Sequence, residues 1–532
     1  MRTFNTAGPC DPRRHYMLPA EPRVPGARYI IDTDEYFVIH APRQTGKTTV
    51  LQSLARAINA EGERVALVFS CEEAAVLGDD LDGVMEALVA GITDTARSRQ
   101  LPPERMPPSP WPEGPAATRL RKGLETWSRS CPLPLVLLID EIDALSGSAL
   151  VSVLRQLRAG HNERPQGTPF PASVVLCGMR SIRDYKAASG GNPETMGSAS
   201  PFNVVVESLR VADFTLDEVA ALYGQHTADT GQPFTREAIE MVHEYTRGQP
   251  WLVNAIARDA TLRTRMAGDR LTPITTSHVD EAKERVIKDR APHVDSLAAR
   301  LREPRVQRVI EPLLSGSDFQ DADAEYDDDV AYVQDLGLVT VDSGGIQVSS
   351  PMYREIIVRI LSASAQVAIR LEPQAFLLPD GRIDMGRLLA EFAAFWDEHG
   401  EILAASEGYH ETAAQLIFMA YLQRVVNGGG YADREYGAGR GWIDILVRKP
   451  LAGDDGRAVQ KEVIELKVRR AKEADPLDEG LAQLDRYLGA HHLDHGYLVI
   501  FDRRPAEVRS HHSAELSDSV TPEGRKVTLL RA

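Results

Sequence analysis

Two groups of residues able to bind or hydrolyse phosphates lie at opposite ends of the 532-residue chain. In the first, an apolar run at 36–40 is followed by Ala41, a short loop, and then Gly46, Lys47 and Thr48 at the start of a helical pattern. A strand, a G-x-x-x-x-G-K-[ST] loop and a helix gather backbone N–H groups and an ammonium around phosphates, and Ala41 replaces the first glycine of that pattern. We therefore predict that Lys47 reaches the β- and γ-phosphates of ATP and that the Thr48 hydroxyl binds Mg²⁺.

A second strand is predicted to complete this site. The run at 135–140 is apolar up to Asp140, which would hold the Mg²⁺, and Glu141 follows it to polarise the attacking water. Thr49 lies in the first helical turn beside the phosphates, and Arg180, at the end of the next predicted strand, is placed to contact the γ-phosphate. The alternatives are a buried strand capped by acidic residues and a surface arginine.

The second group lies near the C-terminus, where Asp444, Glu465 and Lys467 occur on two predicted strands. Residues two apart on a strand face the same side, so Glu465 and Lys467 project together. If the two strands are neighbours, two carboxylates and an ammonium converge. Carboxylates suit Mg²⁺ or Mn²⁺, such an ion activates water, and the lysine positions that water or stabilises charge on a phosphodiester. This arrangement predicts a metal-dependent nuclease site.

Further residues are candidates for the same site. Gln483 and Tyr487 are one turn apart on a predicted helix, within reach of a phosphate or of the active-site lysine. Glu411, at the start of another predicted helix, matches the first-helix acid that often joins the metal ligands in the PD-(D/E)XK nucleases, which this group of residues resembles, although the helix dipole also favours an acid there. Glu435, in a charged loop, is the alternative ligand.

A multidomain α/β chain is needed to position these residues. The N-terminal strands are predicted at 36–40, 65–70, 135–140 and 174–177, as in a parallel sheet, and the pattern becomes helical from Phe214 to about residue 290. The C-terminal elements are predicted as helices 385–398 and 411–426 and strands 442–447, 463–467 and 497–501. The predicted domains are a P-loop NTPase core at 1–210, a helical lid at 211–291, a winged helix at 292–370 and a nuclease domain at 371–532.

Two segments allow more than one interpretation. The predicted winged helix carries the acidic stretch 318–329 and few basic residues, so we expect it to relay nucleotide state within the molecule rather than to read DNA. The N-terminal segment before the first strand either lines the adenine pocket or extends over the surface.

The order of the N-terminal motifs resembles the STAND and archaeal-ATPase branch of the AAA+-like P-loop NTPases. The features that carry this resemblance are the P-loop, the acidic strand end, the arginine after the next strand, Gly248-Gln249-Pro250 in a helical region, and the winged helix. The D…E-x-K pattern followed by Q-x-x-x-Y resembles the RecB-type branch of the PD-(D/E)XK nuclease superfamily, with a restriction-endonuclease-like α/β fold. These resemblances imply a nucleotide-controlled switch joined to a Mg²⁺- or Mn²⁺-dependent nuclease.

The composition is typical of a soluble protein in a reducing compartment. Hydrophobic residues make up 43% of the chain and charged residues 26%, and the four cysteines are scattered. No apolar run approaches the ~20 residues that span a bilayer, so we expect a cytoplasmic protein with no membrane partner. The net charge of −17 argues against nonspecific coating of nucleic acid but leaves room for a local basic groove.

The function predicted from the sequence is ATP-controlled cleavage of DNA. A regulatory switch whose nuclease fold only grips DNA and a nuclease directed at RNA are the alternatives. Such fusions resemble components of bacterial antiphage or mobile-element systems, and a homo-oligomer with two-fold symmetry would suit cleavage of both strands.

Overall fold

The computed structural model describes most of the chain as two compact units. The described residues are 2–19, 21–179, 204–268, 271–288, 297–315, 328–342, 345–363, 369, 372–406, 413–426, 431–433, 444–451, 459–469, 474–504 and 513–532, with the backbone alone at 401–406, 431–433, 444 and 450. One unit comprises Met1–Ala291 and Ala331–Val339, and the other comprises Pro292–Val330 and Thr340–Ala532. The predicted boundary between lid and winged helix coincides with the end of the first range. The finer division into four domains stays a prediction.

A five-stranded parallel sheet forms the centre of the first unit. Its strands are β1 (Tyr36–His40), β2 (Val65–Ser70), β3 (Leu135–Asp140), β4 (Ser173–Gly178) and β5 (Val205–Arg210), in the order β2-β3-β4-β1-β5. The α/β class with a parallel sheet is therefore confirmed, and the first four strands lie where the apolar runs predicted them. The sequence analysis missed β5 because most of its residues are exposed, so it has no apolar run.

Helices cover both faces of this sheet, as parallel sheets require. They are α1 (Ala27–Asp32), α2 (Lys47–Glu61), α3 (Leu81–Ser98), α4 (Ala116–Ser130) and α5 (Gly147–Glu163). Alternate residues of β1 enter different cores: Phe37 and Ile39 pack with residues of α1 and α2, whereas Tyr36 and Val38 pack with residues of α3, α4 and α5. The sheet is thereby held rigidly from both sides, and its carboxyl edge is left to carry polar residues.

Four lid helices follow the sheet. They are α6 (Leu216–Thr230), α7 (Arg236–Thr246), α8 (Pro250–Met266) and α9 (Thr276–Lys288). The predicted capping box opens α6, since Thr215 accepts the Glu218 N–H and the Glu218 carboxylate accepts the Thr215 N–H. Gly248 links α7 to α8 with a φ of +79°, and its carbonyl oxygen accepts the Phe214 N–H at 2.8 Å. The lid is thus joined to the segment that leaves the sheet.

Gly248 is required by this close approach, and its replacement is a test of the joint. A Cβ at this position would lie 1.8 Å from the Phe214 carbonyl oxygen, and the positive φ disfavours other residues. We expect Gly248→Ala to destabilise the first unit by about 2–5 kcal/mol, measured as a lower Tm by calorimetry. Gly224→Ala is the matched control, because an added Cβ meets nothing within 4 Å in α6 and should be neutral or stabilising by about 0.5–1 kcal/mol. Equal effects of the two variants would contradict this explanation.

The segment predicted as a winged helix has the expected order of elements. It contains α10 (Pro304–Ser315), α11 (Asp328–Asp335), the hairpin β6 (Val339–Asp342) and β7 (Gly345–Val348), and α12 (Pro351–Leu361). Arg305 and Arg308, both on α10, form ion pairs with Asp329 at the start of α11. Two of the few basic residues here are therefore neutralised within the segment.

A six-stranded mixed sheet forms the centre of the second unit. Its strands are β8 (Tyr431–Asp433), β9 (Asp444–Pro450), β10 (Val459–Arg469), β11 (His495–Asp502), β12 (Glu515–Val520) and β13 (Lys526–Arg531), in the order β12-β13-β11-β10-β9-β8. β10, β11 and β13 are parallel, whereas β9 and β12 run antiparallel to their neighbours. The parallel pair β10 and β11 is connected through α15 (Leu477–His491), a helix that packs against both strands. Three of these strands were predicted from the sequence, and β8, β12 and β13 were not.

Two further helices complete this unit. α13 spans Met385–Ser406 and α14 spans Ala413–Val426, against predictions of 385–398 and 411–426. Every residue of α14 except Arg424 is buried, which explains why this helix is apolar on all sides. Within the described part of the chain, no helix has the length and apolar character needed to cross a membrane.

Candidate nucleotide and phosphodiester sites

The P-loop connects β1 to α2 at the carboxyl edge of the first sheet. Gly46 precedes α2 with a φ of +87°, a conformation that favours glycine. Lys47, 9% exposed, donates hydrogen bonds from Nζ to the carbonyl oxygens of Ala41 at 2.8 Å and Pro42 at 2.9 Å. The ammonium is therefore folded over the concave side of the loop, where phosphate oxygens would replace the carbonyls as its acceptors.

Thr48 and Asp140 meet as predicted from the sequence. The Thr48 hydroxyl donates to Asp140 Oδ2 at 2.6 Å, although the two residues are 92 positions apart. Asp140 is 3% exposed at the end of β3. A hydroxyl and a carboxylate are the oxygen ligands that Mg²⁺ accepts alongside phosphates and water, so this pair fits the ion that accompanies ATP.

Glu141 lines the pocket next to Asp140 and has an uncommon backbone conformation. Its φ is +52°, and its N–H donates to Asp140 Oδ1 at 3.0 Å. The carboxyl is exposed on the pocket wall, yet partial loss of hydration there raises its pKa, and the charge of Asp140 raises it further. A carboxylate with a raised pKa at this position is a stronger proton acceptor, which suits the predicted role in polarising the attacking water.

The cavity above the P-loop has a volume of about 430 Å³, and three parts of the first unit supply most of its lining besides Glu141. These parts are the P-loop with the start of α2, the N-terminal segment from Asn5 to Leu18, and the start of α8. The Thr49 hydroxyl accepts the Cys10 N–H at 3.1 Å, which ties the N-terminal segment to α2. The N-terminal segment therefore lines the pocket, and it is not a surface extension.

Aromatic packing holds the N-terminal segment against the lid. The Phe4 ring lies 4.9 Å from that of Tyr16 and 5.4 Å from that of Tyr223 in α6. Trp251 Nε1, in α8, donates to the Thr6 carbonyl oxygen at 2.9 Å. The wall of the pocket thus depends on contacts between residues more than 200 positions apart.

Asn254 presents a polar atom to this cavity. Its Nδ2 donates to the Pro250 carbonyl oxygen at 2.7 Å, whereas its Oδ1 is buried and has no hydrogen-bond partner. A buried acceptor without a partner costs free energy unless a ligand supplies a donor. The exocyclic amino group of adenine and the hydroxyls of ribose are such donors, so the pocket has the polarity that a nucleoside requires.

Arg23 holds the P-loop by a hydrogen bond to its backbone, and this role was not predicted from the sequence. Its Nη2 donates to the carbonyl oxygens of Thr45 at 2.7 Å and Ala212 at 2.8 Å, and its guanidinium lies 4.7 Å from the centre of the Phe214 ring. Burial lowers the pKa of Arg23. A Cβ at Gly46 would approach Arg23 Nη1 to 3.2 Å, so the arginine and the loop fit together closely.

We expect Arg23→Ala to weaken both folding and ATP binding. The substitution leaves the buried Thr45 carbonyl and the partly buried Ala212 carbonyl without this donor, a cost of about 1–3 kcal/mol, and it frees the loop that must hold the phosphates. The measurements are the Tm and the ATP affinity by calorimetric titration. Arg28→Ala serves as the control, since Arg28 pairs with Asp32 and Glu61 at the surface and should contribute at most about 1 kcal/mol. An Arg23→Ala protein with unchanged ATP affinity would contradict the supporting role.

In the second unit, Glu465 and Lys467 lie together on β10. The Lys467 Nζ is 3.3 Å from Glu465 Oε1, and the side chains are 11% and 1% exposed, respectively. The other carboxylate oxygen of Glu465, Oε2, is buried and has no hydrogen-bond partner among the residues that the structure describes. This oxygen is therefore available to a cation, and the carboxylate is a ligand of the type that divalent ions prefer.

The strand register places Asp444 beside this pair. β9 and β10 are antiparallel, and Asp444 is the direct partner of Glu465 in their ladder. Residues directly opposite each other in an antiparallel pair share one face of the sheet. β9 and β10 are therefore neighbours in the sheet, and the backbone brings the positions of Asp444 and Glu465 together.

The other predicted residues of this site have different surroundings. Gln483 Oε1, on α15, accepts from Lys467 Nζ at 2.8 Å. Tyr487, one turn later, packs in the hydrophobic cluster under the sheet with Leu484 and Leu488. Glu411 and its alternative Glu435 lie outside the described residues, as does Arg180 of the first unit. Among the residues whose side chains are described, no three of His, Cys, Asp or Glu converge as a metal site.

The comparison with protein families identifies part of the first unit. Residues 31–185 match the model of the AAA domain, a range that contains the P-loop, the acidic strand end and Glu141. Together with the geometry of Lys47, Thr48 and Asp140, this match establishes an AAA-type P-loop ATPase domain. No curated protein matches the chain in sequence.

Solved structures are similar over about two thirds of the chain at low sequence identity. A Walker-type ATPase of Pyrococcus abyssi is 12% identical, with a TM-score of 0.46, over 66% of this chain and 99% of that one. The Thermotoga maritima RuvB Holliday junction branch migration motor is 15% identical, with a TM-score of 0.32, over 61% and 87%. Cdc6p from Pyrobaculum aerophilum is 12% identical, with a TM-score of 0.34, over 62% and 88%.

Proposed function

We propose that this chain, whose residues 31–185 form an AAA ATPase domain, is an ATP-regulated, metal-dependent nuclease that hydrolyses DNA phosphodiester bonds with its second unit. The observation that carries the proposal is the buried Glu465 carboxylate, which has one oxygen beside Lys467 and the other without a partner. A buried carboxylate with an unsatisfied oxygen costs free energy, which a divalent cation at that oxygen would offset. Mg²⁺ or Mn²⁺ fits this carboxylate, with Asp444 opposite it in the ladder.

The proposed reaction assigns a task to each described group. A metal ion bound here would lower the pKa of a water molecule and withdraw charge from the phosphate. Glu465 would hold the ion and accept a hydrogen bond from Lys467. The Lys467 ammonium would donate to a non-bridging phosphate oxygen as the water oxygen bonds to phosphorus and the bond to the leaving oxygen breaks. The proton that the water loses would pass to solvent, and solvent would protonate the leaving alkoxide. Gln483 would orient Lys467 by accepting one of its N–H groups.

ATP control follows from the presence of both sites in one chain. Nucleotide binding changes the acceptors of Lys47 and orders the pocket formed by the N-terminal segment and the lid, so the first unit has two states that a ligand can bias. The proposal is that these states determine access to the nuclease site. DNA is the proposed polymer because the motif order resembles RecB-type nucleases, and RNA is tested alongside it.

The experiment is cleavage of supercoiled plasmid, and of a labelled RNA, with Mg²⁺ or Mn²⁺ and with or without ATP. Wild type is compared with Lys467→Ala and with Lys461→Ala, which removes the same charge from the same strand about 20 Å away. Nicked or linear plasmid that forms with wild type and Lys461→Ala, and not with Lys467→Ala, is the expected result. DNA that is bound but not cleaved under any of these conditions would instead identify a regulatory DNA-binding switch. Cleavage of RNA alone would identify RNA, rather than DNA, as the substrate.

A further inference from the structure

Lys467 is held by a second carboxylate that the proposed cleavage reaction does not use. Its Nζ donates to Glu479 Oε1 at 3.0 Å and to Gln483 Oε1 at 2.8 Å, and Glu465 Oε1 lies 3.3 Å away. An ammonium has three N–H groups. Within the described residues, two hydrogen-bond acceptors and the Glu465 carboxylate surround the ammonium, so a substrate phosphate must compete with them for Lys467.

The three groups differ in how firmly they are held. Glu465 is 1% exposed and Gln483 is 4% exposed, so both are enclosed by the fold. The Glu479 side chain is 74% exposed. Exposed ion pairs contribute little to stability because water competes with them. Glu479 is therefore the acceptor that an incoming anion can displace.

The packing of α15 explains why Glu479 reaches Lys467. The next residue, Gly480, lies so close to the sheet that an added Cβ would be 2.8 Å from Leu498 Cδ1 and 3.4 Å from Lys467 Cγ. The first turn of α15 therefore packs against the aliphatic part of the Lys467 side chain. The lysine is held between Gln483, one turn along the helix, and Glu479 at its start.

We propose that Glu479 is a specificity-determining residue that occupies the phosphate position on Lys467 until a substrate phosphate replaces it. The inference rests on the proposed nuclease function. Binding is then an exchange of one anion for another at Lys467. The exchange favours a polyanionic strand held by additional contacts over an isolated anion, which must compete with a tethered carboxylate at high local concentration.

This role predicts a change in substrate affinity rather than in the chemical step. In Glu479→Gln the charge that competes for Lys467 is gone, so the KM for DNA should fall by about 3–10-fold, the range expected from releasing an exposed ion pair. The kcat should stay within about two-fold of wild type, because Glu479 has already left Lys467 in the bound state. A kcat reduced more than about ten-fold would make Glu479 part of the catalytic machinery and would overturn the proposal.

Asp478→Asn is the matched control for charge and for the helix. Asp478 is also exposed in the first turn of α15, one residue before Glu479 and therefore about 100° around the helix. Both substitutions remove one negative charge and one favourable interaction with the helix N-terminus. A fall in KM of equal size in Asp478→Asn would mean that any lost charge near the site improves DNA binding, and the specific exchange at Lys467 would be wrong.

A binding measurement separates this proposal from the nuclease proposal. The dissociation constant of a fluorescein-labelled DNA duplex is measured by anisotropy, with Ca²⁺ replacing Mg²⁺ to suppress turnover, for Glu479→Gln in the wild-type and the Lys467→Ala background. We expect Glu479→Gln to bind the duplex more tightly than wild type, and to have no effect on the dissociation constant in the Lys467→Ala background, because the gain in affinity acts through Lys467. This result would uphold the exchange even if no polymer is cleaved. Equal effects in both backgrounds, or no difference between wild type and Glu479→Gln, would overturn it even if the chain is a nuclease.

Discussion

Glu465→Gln is expected to abolish DNA cleavage while the second unit stays folded. The substitution keeps the size of the side chain and removes the charge that binds the cation, so we expect a loss on the order of 10²–10³-fold or more in cleavage rate. The fold should tolerate the change, because the carboxylate is 1% exposed and one of its oxygens has no hydrogen-bond partner in the described part of the chain. Lys467 keeps the Glu479 carboxylate and the Gln483 side-chain oxygen as acceptors when the charge of Glu465 is removed, so its ammonium is not left without a partner. The measurements are single-turnover cleavage and the Tm.

Metal binding gives a readout of Glu465 that does not depend on activity. Without nucleotide, Mn²⁺ should raise the Tm of wild type, since a ligand at ten times its Kd stabilises the folded state by about 1.4 kcal/mol. Glu465→Gln should lose this rise. Glu462→Gln changes the same chemical group on the same strand but on the opposite face, and it should keep both the rise and the cleavage. Full cleavage by Glu465→Gln would remove the basis of the proposed nuclease site.

Lys47→Ala is expected to abolish ATP binding and with it any dependence of cleavage on ATP. The ammonium now donates to the Ala41 and Pro42 carbonyl oxygens, and it would transfer both hydrogen bonds to phosphates. Charge-assisted hydrogen bonds contribute about 1.5–3 kcal/mol each, so we expect ATP affinity to fall by about 100-fold or more. Calorimetric titration with ATP and Mg²⁺ measures the affinity, and the plasmid assay measures the coupling.

Arg56→Ala is the control for this variant. Arg56 is exposed on the same helix, α2, about two and a half turns after Lys47. Its substitution therefore removes one positive charge without changing the P-loop. It should bind ATP like wild type. If Lys47→Ala loses ATP binding but cleaves DNA with the ATP dependence of wild type, nucleotide control by the AAA domain is refuted while the nuclease stands.

Local pattern was sufficient for the elements that carry the nucleotide motifs. β1, β2 and β3 lie within the bounds predicted from their apolar runs, and the Thr48 hydroxyl contacts the Asp140 carboxylate. These elements are predictable because a buried parallel strand has no polar face and therefore a continuous apolar signature. β5, exposed along most of its length, has no such signature, and neither the spacing nor the composition of 205–210 reveals it.

The residues that contact the site residues could not be predicted from the local sequence pattern. Arg23 looks like any surface arginine in the sequence, yet it donates to Ala212, 189 positions away. The N-terminal segment allowed two interpretations, and the tertiary structure decides between them, since this segment lines the cavity and its Cys10 N–H donates to Thr49 in α2. Such contacts depend on how helices and loops pack, which a single sequence does not specify position by position.

The same division holds in the second unit. The sequence determined that Glu465 and Lys467 share a face, because side chains alternate along every strand. Only the tertiary structure decided that Asp444 lies opposite Glu465 and that Glu479 reaches Lys467. A strand register and a helix position are set by the packing of the whole sheet, since a shift of one residue would turn the apolar side chains away from the core. The sequence therefore predicted which groups could do chemistry. The residues that contact those groups are determined by the packing of the hydrophobic core.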